Sequence, residues 1–205
     1  MVVYNQMALL QKTRKTDVLT TEAKSICNKA LSEWLDRITE YNKLMGLEGY
    51  ISKHFFAAYY QEFNWECRRP RTKCDIINST LDIGYTMLFN YIECFVRMFG
   101  FDIYIGVYHR LWFKRKSLIC DLVEPFRCIV DHTVRKAYNR NQFSSKDFSL
   151  YKGGYRLKLE KNSEYNKVFF DALIPYKMEI FKFIRSYYRC FMQNKKIEDY
   201  PIFNI

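Results

Sequence analysis

A mainly α-helical domain carrying one small β-hairpin is the fold class this sequence predicts, and three observations lead to it. Glycine and proline are scarce, 7 and 4 in 205 residues, too few for the turns of a sandwich or barrel. Apolar residues recur at helical spacing through most of the chain. Alternation of the strand type occurs near 148–159, in FSLYKGGYRLKLE, around a Gly-Gly turn. Hydrophobic residues make up 49% of the chain, enough for a sizeable core and too many for a disordered one.

The elements follow in order. Residues 20–42 carry Ile26, Ala30, Leu31, Trp34, Leu35 and Ile38 at helical spacing, with Thr20 or Thr21 placed to cap. Gly46 and Gly49 mark a short break around Glu48. Residues 50–63 suit a second helix, with Ile51, Phe55, Ala58 and Tyr59 on one face. WECRRPRTK is polar, contains Pro70 and reads as a loop. Asp75 then caps a long helix that stops at Gly100 and, being apolar on most sides in its second half, is the expected central element. Another helix spans Ser117 to about Tyr138, and Pro125 inside it removes a backbone bond and predicts a kink. After the hairpin the chain is helical to about Asn194, and KKIEDYPIFNI forms a tail. With no repeat and no low-complexity linker, residues 1–205 read as a single helical domain, with 1–40 as a helical lead-in.

The formal net charge is +11, which points to a polyanionic partner. The 7 cysteines are odd in number and none forms a CxxC pair, so no zinc site is signalled. Cys94, Cys120 and Cys128 lie in apolar patterns and read as small core residues in a reducing, cytoplasmic setting. The N-terminus has no signal-peptide pattern. No run of about 18 uncharged apolar residues occurs, so no membrane span is expected.

Chemistry-bearing residues concentrate between Ile103 and Phe126, IYIGVYHRLWFKRKSLICDLVEPF. His109 ends an apolar run, a basic and aromatic segment follows, and Asp121 and Glu124 share one helix face. Each has a plainer reading alone: a surface histidine, a solvated loop, and an acid that favours a helix N-terminus, a role open to Glu48 as well. Together they read differently. Carboxylates on a largely buried helix need partners, and a divalent cation is one. From Arg110 to Arg140 eight Lys or Arg face only Asp121, Glu124 and Asp131, an excess that suits a phosphodiester. Arg68 to Lys73 forms a second basic loop.

These segments occur in an order that resembles one family. GLEG at Glu48, the W…RRP loop, D-x-x-N at Asp75 followed by GYTML, IGVYH at His109, RKSLICDLVEPFR, NRNQFSSKDF with GGYRL, and the closing YPIF are similar to the C-terminal helical domain of the CRISPR-associated integrase. The resemblance runs from about residue 40 to the end. It implies a metal-dependent DNA endonuclease and integrase in antiviral defence that joins the 3′-hydroxyl ends of short spacer DNA to a CRISPR repeat. It implies Glu48, His109 and Glu124 as ligands of Mg2+ or Mn2+, with Asp121 as a fourth catalytic residue. Arg68, Arg69, Arg71, Arg110, Lys114, Arg115 and Lys116 would hold DNA phosphates. Typical members begin with a β-rich dimer domain that has no counterpart here, so the chain is either a shortened one or a naturally compact member; the expectation is the latter, a self-sufficient integrase that has less use for the small ferredoxin-like adaptation subunit. Its partners would be double-stranded DNA and further copies of itself, as a dimer or dimer of dimers. Leu9, Leu10, Val18, Leu19 and Trp34 offer the apolar surface for that pairing. A nuclease of branched DNA that does not integrate, and a basic module that binds DNA without chemistry, remain the alternatives.

Overall fold

The computed structural model describes residues 1–63 and 65–205, the side chain of Asp36 excepted. The protein is helical with one antiparallel hairpin, as the periodicity predicts. Its contacts gather into two compact units, Met1–Pro70 with Asn204–Ile205, and Arg71–Phe203.

In the first unit α1 (Val2–Lys12), α2 (Val18–Lys29) and α3 (Tyr41–Tyr59) pack on one another around Leu9, Leu10, Ile26, Ile51, Phe55 and Tyr59. Leu9 and Leu10 are therefore core, at 1% and 0% exposure, and leave the expected pairing surface. The cap of α2 is Asp17, one turn earlier than expected. Its carboxylate accepts from the Thr20 N–H at 2.9 Å and from the Thr20 hydroxyl at 2.9 Å. The expected helix over 20–42 ends its α-ladder at Lys29. The backbone widens to a π turn at Ala30–Trp34, tightens to a 3-10 turn at Leu35–Arg37, and extends at Ile38.

The break expected at Gly46 and Gly49 is absent: α3 runs through both, so Glu48 sits inside the helix and not at its start. Glycine costs a helix about 1 kcal/mol against alanine but does not stop it, and neighbouring turns carry it. A Cβ at either glycine would meet nothing within 4 Å.

In the second unit α4 (Ile76–Met98) is central and touches α5 (Ser117–Val123), α6 (Arg127–Asn139), α7 (Asn162–Leu173) and α8 (Lys177–Met192). Asp75 caps it as expected, accepting from the Asn78 N–H at 2.6 Å, and it ends before Gly100 at φ 74°. Gly84 lets α6 and α7 close onto it, since a Cβ there would lie 2.6 Å from both Phe169 and Val130. Cys94 faces solvent with Asn90 and Arg97 and is not the core residue expected. Pro125 interrupts the α-ladder as predicted: a 3-10 turn, Glu124–Phe126, separates α5 from α6. The hairpin pairs β1 (Phe148–Tyr151) with β2 (Gly154–Leu157). Its turn is Lys152–Gly153, with φ of 49° and 77°, and Gly154 already belongs to the strand. Two positive φ values in sequence are the geometry that matches strand twist. Phe203 in the tail packs on Phe126, ring centres 4.5 Å apart.

Candidate metal and DNA site

The site is built on α5 and the irregular segment before it, residues 101–116 of the second unit. Ile103, 3% exposed, plugs this segment into the core, and its carbonyl accepts from the Leu118 N–H at 3.1 Å. The chain then folds over Asp121, whose carboxylate accepts from the backbone N–H groups of Val107 (2.6 Å), Tyr108 (3.0 Å) and His109 (2.9 Å). It also meets the His109 Nδ1 at 2.6 Å. Gly106 makes the approach possible, because a Cβ there would lie 2.7 Å from the Asp121 Oδ2 and from the His109 carbonyl oxygen. Burial pushes the Asp121 carboxyl up, but these donors outweigh it and hold it below the ordinary carboxylate range.

An ionised Asp121 assigns the His109 proton to Nδ1. Nε2 is left as the ring nitrogen through which the imidazole can bind a metal. Glu124 follows one turn later on the 3-10 turn. Both its oxygens accept from the Arg127 Nη1, each at 3.0 Å. Arg127 lies over the Tyr85 ring at 4.7 Å, and the Tyr85 hydroxyl donates to Asp131. Burial disfavours the Arg127 charge, but Glu124 first, then Tyr85 and Asp131, more than offset this and hold its pKa above the ordinary value.

Glu48, half-buried on α3, belongs to the first unit. Among the described residues no three His, Cys, Asp or Glu side chains form a metal-holding group. What fits a hard divalent cation is the donor chemistry: an imidazole locked by a carboxylate, and a second carboxylate one turn away.

The expected phosphate contacts divide. Arg110, Lys114 and Arg115 are exposed on the loop after His109. Between them Leu111, Trp112 and Phe113 stand 72%, 74% and 82% exposed. The loop turns at Lys114, φ 57°, closed by the Arg115 N–H to the Trp112 carbonyl at 3.0 Å. Lys116 turns inward instead: its ammonium donates to both oxygens of buried Glu93, at 2.7 and 2.9 Å. Arg69 pairs with Glu66 at 3.3 Å, and Arg68 is half-buried. Arg71 is exposed on a turn held by its own N–H to Asp82 at 2.9 Å. Sequence reasoning missed Gly106, Glu93 and Arg127. Only Arg127 left a local signal, three residues after Glu124 on a helix.

Comparison with known proteins finds the family that the motifs resemble. Residues 2–170 match the family model described as CRISPR associated protein Cas1. A CRISPR-associated endonuclease Cas1 of Thermodesulfovibrio yellowstonii is 34% identical over 127 residues, 60% of this chain and 40% of its own length. The Mycobacterium tuberculosis Cas1 endonuclease (strain H37Rv) is 31% identical over 154 residues, 72% of this chain and 44% of its own length. The chain thus spans less than half the length of these relatives. Among solved structures, a Cas1 protein from Thermotoga maritima superposes over 100% of this chain and 66% of its own with a TM-score of 0.78 at 20% identity. A partial Cas6-RT-Cas1–Cas2 complex gives 0.84 at 20% identity, over 99% of this chain and 66% of that one, and a casposase bound to integration product gives 0.78 at 20%, over 100% and 63%. With the family model covering most of its length, the chain belongs to the CRISPR-associated Cas1 family.

Proposed function

We propose that this chain is a divalent-metal-dependent DNA endonuclease and integrase of CRISPR adaptation, joining 3′-hydroxyl ends of spacer DNA to a repeat. The observation that carries this reading is the Asp121 clamp, which fixes the tautomer and direction of His109 beside a basic loop. In the reaction a 3′-hydroxyl oxygen forms the new bond to phosphorus, and the target strand's 3′-oxygen leaves. The attacking oxygen loses a proton and the leaving oxygen gains one. Mg2+ or Mn2+, held by Glu48, His109 and Glu124, would supply charge stabilisation at the reacting phosphate.

The chain's own residues do the rest. Asp121 orients His109, and Arg127 orients Glu124. Arg110, Lys114 and Arg115, with Arg68, Arg69 and Arg71, meet flanking phosphates. Trp112 and Phe113, exposed among these cations, offer faces on which unpaired bases stack. Lys116 serves the loop's anchorage on Glu93 and so supports the site indirectly.

The partners proposed are double-stranded DNA and a second copy of the chain. The described family complex with Cas2 makes the small adaptation subunit a further partner to test. The deciding experiment offers the protein a labelled donor with a free 3′-hydroxyl, a plasmid bearing a repeat, and Mg2+ or Mn2+. Joined product supports the integrase. Cleavage of branched DNA without joining supports a nuclease instead. Binding without either supports a DNA-holding module.

A further inference from the structure

A cleft of about 450 Å³ opens in the second unit between α4, strand β2 and the start of α7, and none of the candidate metal ligands lines it. Its walls are tied together. The Tyr155 N–H donates to the Lys73 carbonyl at 2.8 Å, and the Ser79 hydroxyl on α4 donates to the Tyr155 carbonyl at 3.0 Å. The Arg71 N–H donates to the Asp82 carboxylate at 2.9 Å. Lys73 sits at φ 51°, a left-handed backbone that lysine takes only where its surroundings impose it. Here the hairpin imposes it, through the Tyr155 bond and through Gly154, where a Cβ would lie 3.4 Å from the Lys73 Cβ.

We propose that this cleft binds a single nucleotide, with its phosphate at Lys73 and an adenine base read by Asn162 and Asn166. Charge comes first. Lys73 and Arg156 line the cleft against one acid, Asp82, whose carboxylate is already engaged by the Arg71 N–H. Among the described residues Lys73 is in no ion pair, and Arg156 is held over the Tyr151 ring at 4.4 Å. The balance favours an anion. The apolar lining asks for a flat body beside that anion. Tyr155 and Leu157, two apart, share one face of β2, and Ile83 and Met87, four apart, share one face of α4. A base laid between them is covered on both sides, as ligand clefts of this size require.

The amides select the base. Asn162 and Asn166 lie one turn apart on α7, so they stand side by side. Among the described residues neither amide is taken by a hydrogen bond. A side-chain amide donates to N7 of adenine and accepts from its N6 amino group, a pair that thymine cannot reproduce. An inorganic anion would leave the apolar walls unused, and an apolar ligand would leave Lys73 and both amides unpaired. On α4, Thr86 in the cleft and Glu93, which anchors Lys116, are about 10.5 Å apart along the axis. The same chemistry therefore has two sources, a free nucleotide and an unpaired nucleotide of a bound strand. The inference does not depend on the integrase reading.

The test is equilibrium dialysis of the full chain, in EDTA, against labelled dAMP and dTMP with inorganic phosphate as competitor. The wild type should take up one dAMP per chain with a Kd on the order of 10–100 µM, about tenfold below that for dTMP. Lys73→Asn removes the charge but keeps a residue that accepts a left-handed backbone, and should weaken both nucleotides about tenfold. Asn166→Leu, at an exposed position, should abolish the preference for dAMP and leave dTMP binding within about twofold. If Lys73→Asn lowers the urea midpoint, Asn166→Leu decides alone. A second arm compares an oligothymidylate with the same strand carrying one dA. Tighter binding of the dA strand, lost in Asn166→Leu, with no uptake of free dAMP, assigns the cleft to a strand nucleotide and supports the inference. Phosphate that competes as well as dAMP makes the cleft an anion site only and overturns it. So does dAMP binding that survives both variants, or the lack of an adenine preference in both arms.

Discussion

Asp121 Oδ1 lies 2.6 Å from His109 Nδ1, and the same carboxylate gathers the three backbone N–H groups of Val107, Tyr108 and His109. One side chain on α5 therefore sets both the ring's tautomer and the path of the loop that carries it. This makes Asp121 first of all a positioning residue for His109. Asp121→Asn should keep the fold, yet an amide cannot accept from all four donors. Mn2+ affinity, read by titration calorimetry, should fall by roughly 10–100-fold, and joining should fall with it. Unchanged Mn2+ affinity would return Asp121 to a purely structural role.

Gly106→Ala should disturb the same clamp from the other side. Its Cβ would sit 2.7 Å from the Asp121 Oδ2 and 2.9 Å from the Ser117 carbonyl carbon, and backbone cannot give way cheaply. A loss of about 1–3 kcal/mol is expected in urea unfolding. Gly46→Ala, where a Cβ meets nothing within 4 Å, is the control and should stabilise slightly.

Glu48→Ala, His109→Ala and Glu124→Ala should each abolish joining while duplex affinity changes less than about threefold, since binding rests on phosphate contacts elsewhere. For Glu124 the unfolding curve matters too. Removing it leaves Arg127, half-buried beside Tyr85, with one fewer partner. Near-normal turnover in any one of the three variants would exclude that residue from the metal set.

Two neighbouring lysines should behave in opposite ways. Lys114→Glu should lower the slope of log affinity against log salt by about one or more and leave stability alone. Lys116→Met should leave Glu93 short of a cation in a buried position and cost about 1–3 kcal/mol, with a smaller effect on the salt slope.

The Lys116 effect should depend on pH with a definite sign. Burial raises the Glu93 pKa, but Lys116 and Arg97 together hold it below its ordinary value. The folded state thus binds this proton less readily than the unfolded one. The stabilisation is complete above the unfolded carboxylate pKa of about 4.3 and disappears as pH falls through the folded value. The difference in urea midpoint between wild type and Lys116→Met should be constant from pH 6 to 8, on the order of that full effect. It should shrink below about pH 4. A gap that widens in acid would contradict the Glu93 pairing.

Much of this protein was legible in one dimension because the signals are local. Helical spacing located the helices, Asp75 announced the cap of α4, and Pro125 announced the break between α5 and α6. The candidate site residues Glu48, His109, Asp121 and Glu124 stand in motifs whose order resembles the family's. What the sequence could not decide was which groups meet. A glycine pair reads as a break, but neighbouring turns carried α3 through it. Lys116 reads as one more cation in a basic loop until packing brings it to Glu93, 23 residues back. Asp121 reads as a fourth catalytic residue, and only the tertiary fold shows that a loop 12 to 14 residues away turns its N–H groups onto it. Periodicity and capping depend on neighbours within about one turn. The pairing of a charge or the direction of a backbone N–H depends on how separate elements pack, because a buried polar group takes whichever partner the tertiary fold supplies.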